Sequence, residues 1–412
     1  MKGLPSKSVL TYAGTSIVSQ VLRFSGILMT TKLLGLEQFG LYAQALMAIG
    51  LCGIILSPGH QDGFVAYNGE DPRYSRFHFQ TALIAGLVAW MGLYGGIRIF
   101  TQELNPLRSV IPILGVIVLI ESLTFTPLFI AQKRFQFRWT GLVDVTGVVV
   151  WLVLSVGLCY YFPRMESLLY GRLGEGMIRL ILLYGRIPWN HLGFCLDRDV
   201  WSYYWKPFIQ NAFPRAFVGS LMEKVDILML SQFVSIHDLG IYERTQHFLQ
   251  ICLSLGANLI DRVSLVTYSR NQSSWIDLMK TLKSSVGFCL FSSIGVTLSI
   301  TLFFPWVMGF WWEKGLVEEI YHLWIFSIGL AILKPLAVTV SLFFHGTGQS
   351  KVLLKQHFIL LLILIITGLL LIPNYGTQGA CLGGSFAYFC LIVVQTVEIK
   401  SFRFKFMKAN NL

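Results

Sequence analysis

Charged side chains stand in this sequence where apolar ones are the rule. Arg23, Arg215, Lys224 and Arg244, with Asp226 among them, interrupt runs of Leu, Ile, Val and Phe. A charge at membrane depth costs about 2.5–3.5 kcal/mol on insertion scales, so it usually faces water or a ligand. Arg and Lys are the side chains that hold phosphate-type anions, Arg through a bidentate fork and Lys as a point charge. We read these five residues as lining a cavity that takes an anion. Four others are candidates for gating or ion coupling. Glu121 and Lys334 carry opposite charges inside apolar runs, a pattern open to a gating pair or to a coupling-ion site. His60 and Asp62 flank Gln61; His titrates near neutral pH, which allows proton coupling, although a solvated helix end is the simpler account. Arg172, Glu175 and Arg179 are spaced three and four apart, share one helical face, and are expected to pair with one another.

Other chemistries find no support. No Ser-His-Asp set, HExxH motif or Gly-rich phosphate loop is evident, so the chain is not expected to be an enzyme. Seven cysteines are present, none in a CxxC pair and most inside apolar runs. They read as small buried hydrophobes, with neither a disulfide framework nor a metal or other cofactor.

The elements that must carry these residues follow from composition. The chain has 412 residues, 54% hydrophobic and 13% charged, whereas a soluble domain carries about 25% charged residues. Too little polar surface remains to cover a water-soluble globule, so the solvent is lipid. The net charge of +11 would suggest nucleic acid in a soluble protein; here its distribution across a bilayer matters more, and no nucleic-acid partner is expected. About twelve stretches are long enough to span, near 9–34, 39–64, 79–100, 110–132, 140–162, 166–187, 207–234, 240–265, 283–311, 317–344, 352–373 and 377–399. The sixth is interrupted by Arg172, Glu175 and Arg179. The N-terminus resembles a basic signal region but lacks an A-x-A site, so it reads as an uncleaved first helix. With both termini cytoplasmic, basic residues favour the cytoplasmic side by roughly four to one.

A phrase is written twice. Residues 33–42 read LLGLEQFGLY and residues 233–242 read FVSIHDLGIY, so Gly40 and Tyr42 recur as Gly240 and Tyr242 at an offset of 200. Ile27, Leu28 and Met29 recur as Ile227, Leu228 and Met229, and Arg23 and Lys224 fall at nearly equivalent places. The fold class expected is therefore an all-α integral membrane protein, with six helices in each of two lobes. Residues 1–190 form the first lobe, 191–206 a cytoplasmic linker and 207–412 the second lobe with a basic tail. An even number of helices per repeat predicts a pseudo-two-fold axis along the membrane normal, as in parallel-repeat transporters. The pairs Gly92/Gly96 and Gly379/Gly383 predict close helix contacts.

Leu34, Gly35, Phe39, Gly40 and Tyr42, followed by Pro58, Gly59 and Gly63, form a pattern that resembles the polysaccharide-export flippases of the multidrug/oligosaccharidyl-lipid/polysaccharide (MOP) superfamily. The run from Asp226 to Leu230, Gly240 and Tyr242, and the stretch from Tyr375 to Ala380, fit the same pattern. O-antigen flippases of the Wzx type fit best. Lipid II flippases carry two extra helices, and MATE exporters share the fold. The resemblance implies translocation of undecaprenyl-diphosphate-linked oligosaccharide across the bacterial inner membrane, by alternating access, for O-antigen or another surface polysaccharide of the lipopolysaccharide type. Its expected partners are that lipid, the bilayer, H+ or Na+ as a coupling ion, and a polysaccharide polymerase with other export proteins. A MATE-like drug/cation antiporter is the alternative, with a membrane polymerase or ligase further off. Two features depart from the family: His60 and Asp62 are more polar than its usual run, and the chain is short.

Overall fold

The bilayer offers backbone groups no water, so a spanning segment must satisfy its own hydrogen bonds, which an α-helix does. A computed structural model describes residues 6–56, 71–100, 107–134, 136–187, 191–204, 210–254, 267–268 and 274–409. Every long element among these residues is helical: α1 Ser6–Leu33, α2 Leu36–Leu56, α3 Pro72–Phe100, α4 Leu107–Lys133, α5 Phe137–Tyr161, α6 Met165–Tyr184, α7 Arg198–Tyr204, α8 Gln210–Phe233, α9 Ile236–Leu253, α10 Trp275–Gly309, α11 Lys314–Gly346 and α12 Ser350–Ala409. The last is two helices joined at a bend, Gly376, whose φ of 53° and ψ of −131° lie outside the helical region. Only glycine adopts such a conformation without strain. Its two arms match the expected stretches 352–373 and 377–399. By length and composition six of the described spans are apolar enough to cross a membrane, the whole of α12 counting as one; α6 is not among them. On α10 a row of exposed side chains, Phe288, Phe291, Ile294, Leu298 and Leu302, runs along one face, the spacing of a lipid-facing stripe.

The repeated phrase builds the same turn twice. The Leu34 N–H donates to the Thr30 carbonyl at 2.9 Å, and the Val234 N–H donates to the Leu230 carbonyl at 2.9 Å. The next helix starts two residues later in each case. In the second copy the Ser235 hydroxyl caps α9 by accepting from the Asp238 N–H, a role Gly35 cannot fill in the first. Tyr42 and Tyr242 are both buried.

Two compact units divide the chain, Met1–Lys224 and Val225–Leu412, with the boundary inside α8. In the first, α5 packs along α6 and α1, α3 along α4, and α4 along α6. Small residues let these helices approach. A Cβ at Gly171 would overlap the Ser155 hydroxyl, and one at Gly115 would overlap the Trp90 ring. Gly92, by contrast, has nothing within 4 Å; the contact expected there is made instead at Gly86, against Ser122, and at Gly115. Gly383 does meet its neighbour, with Thr367 Oγ1 3.1 Å from a Cβ placed on it.

The segment 191–204 folds onto the ends of α3 and α4 in the same unit. Arg73 reaches Asp197 and Asp71, both at 2.7 Å. His191 Nδ1 lies 2.9 Å from Ser75 Oγ, and the Cys195 N–H donates to Gln80 Oε1 at 2.9 Å. Tyr204 is fully buried and stacks on Phe77 with ring centroids 4.9 Å apart. In the second unit α11 packs along α12 and α10, and α9 packs against α11.

Candidate functional site: an arginine-lined cavity

The charges of the first unit converge. Arg23 of α1, Glu121 of α4, and Arg172, Glu175 and Arg179 of α6 line a partly open cavity of about 160 Å³. Ile117, Ile120, Leu173 and Gly176 supply its apolar wall. Packing of α4 along α6, with α1 carried in by α5, brings these residues together.

Glu175 is the hub. Its side chain is 6% exposed and forms ion pairs with Arg23 and with Arg179, the latter at 3.1 Å one turn along α6. Arg179 also reaches Asp144 of α5 at 3.2 Å. Its stem runs over Gly147, where a Cβ would stand 2.8 Å from Nε. Arg172 donates from Nη2 to Glu121 Oε1 at 2.7 Å, so it leaves the pairing with Glu175 that its spacing suggested. Arg23 lies 5.9 Å from the Trp151 ring centroid, within reach of a cation–π contact, and Gly26 makes room for that ring. The Nε of Arg172 and the Nε of Arg179 are buried with no hydrogen-bond partner.

Three guanidiniums and two carboxylates line the cavity, with Asp144 behind Arg179 as a third carboxylate. Such a wall can hold a small polyanion through several charge-assisted hydrogen bonds. Among the described residues no group of three or more His, Cys, Asp or Glu converges on one point.

The other anticipated residues that the structure describes are not among those lining this cavity. Lys224 lays its stem over Gly50 of α2, where a Cβ would overlap Cε. The Arg215 side chain, and His60 and Asp62 entirely, lie outside the described residues. In the second unit Asp226 accepts from the Tyr242 hydroxyl at 2.6 Å. Arg244 is 1% exposed within α9, its Nη2 3.2 Å from His247 Nε2. Lys334 Nζ stands 6.0 Å over the Tyr388 ring. Sequence reasoning missed Asp144 and Gly147. Asp144 had a signal, a lone acid in the apolar run 140–162; Gly147 had none.

Solved structures share this architecture. The chain superposes on a lipid II flippase, MurJ, in an inward closed conformation with TM-score 0.76 and 13% identity, covering 95% of this chain and 87% of that one. A MOP superfamily transporter from Pyrococcus furiosus matches with TM-score 0.70 and 13% identity, over 98% and 96% of the two chains. An inward-facing multidrug MATE transporter matches with TM-score 0.67 and 12% identity, over 95% and 96%. The fold is thus that of the MOP superfamily of flippases and transporters, two helical lobes in one multi-pass chain. A search of curated protein sequences finds no match. The family model described as polysaccharide biosynthesis protein matches residues 29–313, and the chain belongs to that family.

Proposed function

We propose that the protein is a flippase that moves undecaprenyl-diphosphate-linked oligosaccharide, an O-antigen or related repeat unit, from the cytoplasmic to the periplasmic leaflet by alternating access. The observation that carries this reading is the cavity where Arg23, Arg172 and Arg179 meet two carboxylates. A diphosphate brings about two negative charges, and the arginine fork matches its oxygens. Arg215, Lys224, Asp226 and Arg244 extend the substrate path in this reading. His60, Asp62, Glu121 and Lys334 serve gating or coupling to H+ or Na+. The protein then works in a bacterial inner membrane, termini in the cytoplasm, beside a polysaccharide polymerase.

A drug/cation antiporter would present an acidic wall to its cargo, and arginines outnumber carboxylates on this one. Energetics permit export without a coupling ion. Moving two phosphate charges outward through 100 mV releases about 4.6 kcal/mol if they travel uncompensated.

The test is leaflet exchange in proteoliposomes. A fluorescent undecaprenyl-diphosphate oligosaccharide should change leaflets faster with the wild-type chain than with Arg23→Ala or Arg172→Ala. Equal rates in all three, or efflux of a cationic dye in place of lipid exchange, would overturn the assignment.

A further inference from the structure

The cavity poses a problem for any anion that enters it. Each of its arginines already has a carboxylate: Arg23 and Arg179 hold Glu175, and Arg172 holds Glu121. Asp144 is a second acceptor for Arg179. A doubly charged headgroup placed among them would bring its charge next to two glutamates. Like charges at contact distance repel strongly at intermediate dielectric. With Asp144 counted, three carboxylates match three arginines, and the cluster has no net positive charge to absorb two negative ones.

The charges can be reconciled by exchange. We propose that Glu121 and Glu175 are resident counter-anions, which hold the arginines in place while the cavity is empty and yield them to a diphosphate when it arrives. The inference rests on the flippase reading above and names the step by which that site is loaded and emptied.

The geometry divides the labour. Glu121 is the more accessible partner, its side chain 32% exposed, with one arginine contact among the described residues, at 2.7 Å. Glu175 is 6% exposed and serves two arginines from two helices. Glu121 therefore yields first and Arg172 makes the first grip on the anion. Glu175 yields only when the anion takes Arg23 and Arg179 while Arg172 still holds it, which asks for one phosphoryl group in the place of each carboxylate. A diphosphate has two phosphoryl groups; a monophosphate has one. Displaced, each carboxylate remains nearby to reclaim its arginine, which speeds release. The pairs thus keep the ground-state grip moderate, in the sense that uniform tight binding would lower KM without raising turnover.

This role differs in sign from a structural one. If the glutamates only shape the cavity, neutralising them loosens the arginines and weakens binding. If they compete with the substrate, neutralising them strengthens it.

The experiment uses purified full-length protein in nanodiscs, with farnesyl diphosphate, farnesyl monophosphate and inorganic pyrophosphate as probes, titrated by calorimetry. Glu121→Gln and Glu175→Gln should each bind farnesyl diphosphate at least about tenfold tighter than wild type, while the leaflet-exchange rate of a lipid-diphosphate oligosaccharide falls. Glu175→Gln should gain more for the diphosphate than for the monophosphate. Should Glu175→Gln fail to fold, Glu121→Gln alone decides, because its pair is the exposed one. Equal or weaker binding by Glu121→Gln, with wild type still binding farnesyl diphosphate, overturns the exchange and leaves the flippase reading intact. Wild type binding no diphosphate at all overturns both. Pyrophosphate binding as tightly as the prenyl compound, and tightening likewise in the variants, supports the exchange but makes free diphosphate the ligand.

Discussion

Arg172 reaches across from α6 to Glu121 of α4 at 2.7 Å, although Glu175 stands one turn away on its own helix. Glu175 is instead claimed by Arg23 of α1 and Arg179. The charges of α6 are thus shared among three neighbouring helices. A helix that kept its pairs to itself would present little to a ligand; this one spreads its cations around a hollow.

The Arg172–Glu121 pair is about one-third exposed on both sides and lines the open cavity, so it is only partly desolvated. A double-mutant cycle with Arg172→Ala and Glu121→Ala, read by thermal unfolding in detergent, should give a coupling energy of about 0.5–1 kcal/mol. A coupling indistinguishable from zero would show the two side chains to be independent.

Glu175 is a different case, because its carboxylate is buried and compensates two guanidiniums. Glu175→Ala should destabilise the protein by about 3–5 kcal/mol, the cost of leaving buried charge uncompensated. The double variant Glu175→Ala, Arg23→Ala should recover part of the loss. Unfolding midpoints in one detergent compare the three proteins.

Gly171 of α6 sits against Ser155 of α5 so closely that a methyl group would overlap the hydroxyl. Gly171→Ala should cost about 1–3 kcal/mol by overpacking. Adding Ser155→Ala should relieve some of it, since the oxygen is the nearest obstacle. A midpoint unchanged in the single variant would mean that the two helices separate freely there.

The segment 191–204 has a pH limit. Asp71 is held below the ordinary carboxylate range chiefly by hydrogen bonds from Arg73, and Asp197 chiefly by the Asp199 N–H, then by Arg73. Depressed carboxylates stabilise the folded arrangement above their unfolded pKa, about 3.9, and the benefit disappears as pH falls through the lower folded value. The Cys195 amide, bonded to Gln80, should keep its hydrogen-exchange protection from pH 8 to 5 after correction for intrinsic rates, and lose it below about pH 4. Arg73→Ala should lose that protection at every pH.

Much of the fold was legible because lipid demands long apolar runs, and because the Leu34 and Val234 turns repeat their hydrogen bonds with the phrase that encodes them. The site was half legible. Arg23 and Glu121 were visible as charges in the wrong solvent, but their partners were not. Arg23 meets Glu175 across 152 residues of chain, and spacing along one helix carries no information about such a meeting. Local spacing misled for Arg172, whose three-residue step to Glu175 suggested a pair that tertiary packing replaced with Glu121. At Gly92 the spacing allowed a contact that the structure leaves unused, because a glycine pair shows that a close contact is possible, not that a partner helix is there.

The composition of α6 has a consequence for how the protein is made. Glu166, Arg172, Glu175 and Arg179 lie within its twenty residues, Met165–Tyr184, and it is absent from the apolar spans. Entering lipid alone, it could keep Glu175 with Arg179 but would leave Arg172 unmet, at about 2.5–3.5 kcal/mol for a charge at membrane depth. Its partners Arg23 and Glu121, and the α5 surface that Gly171 fits, all precede it in the chain. Biogenesis is therefore ordered: α6 becomes a membrane helix only once α1, α4 and α5 are already in place to receive it, and a ribosome that delivered it first would be delivering a segment that prefers water.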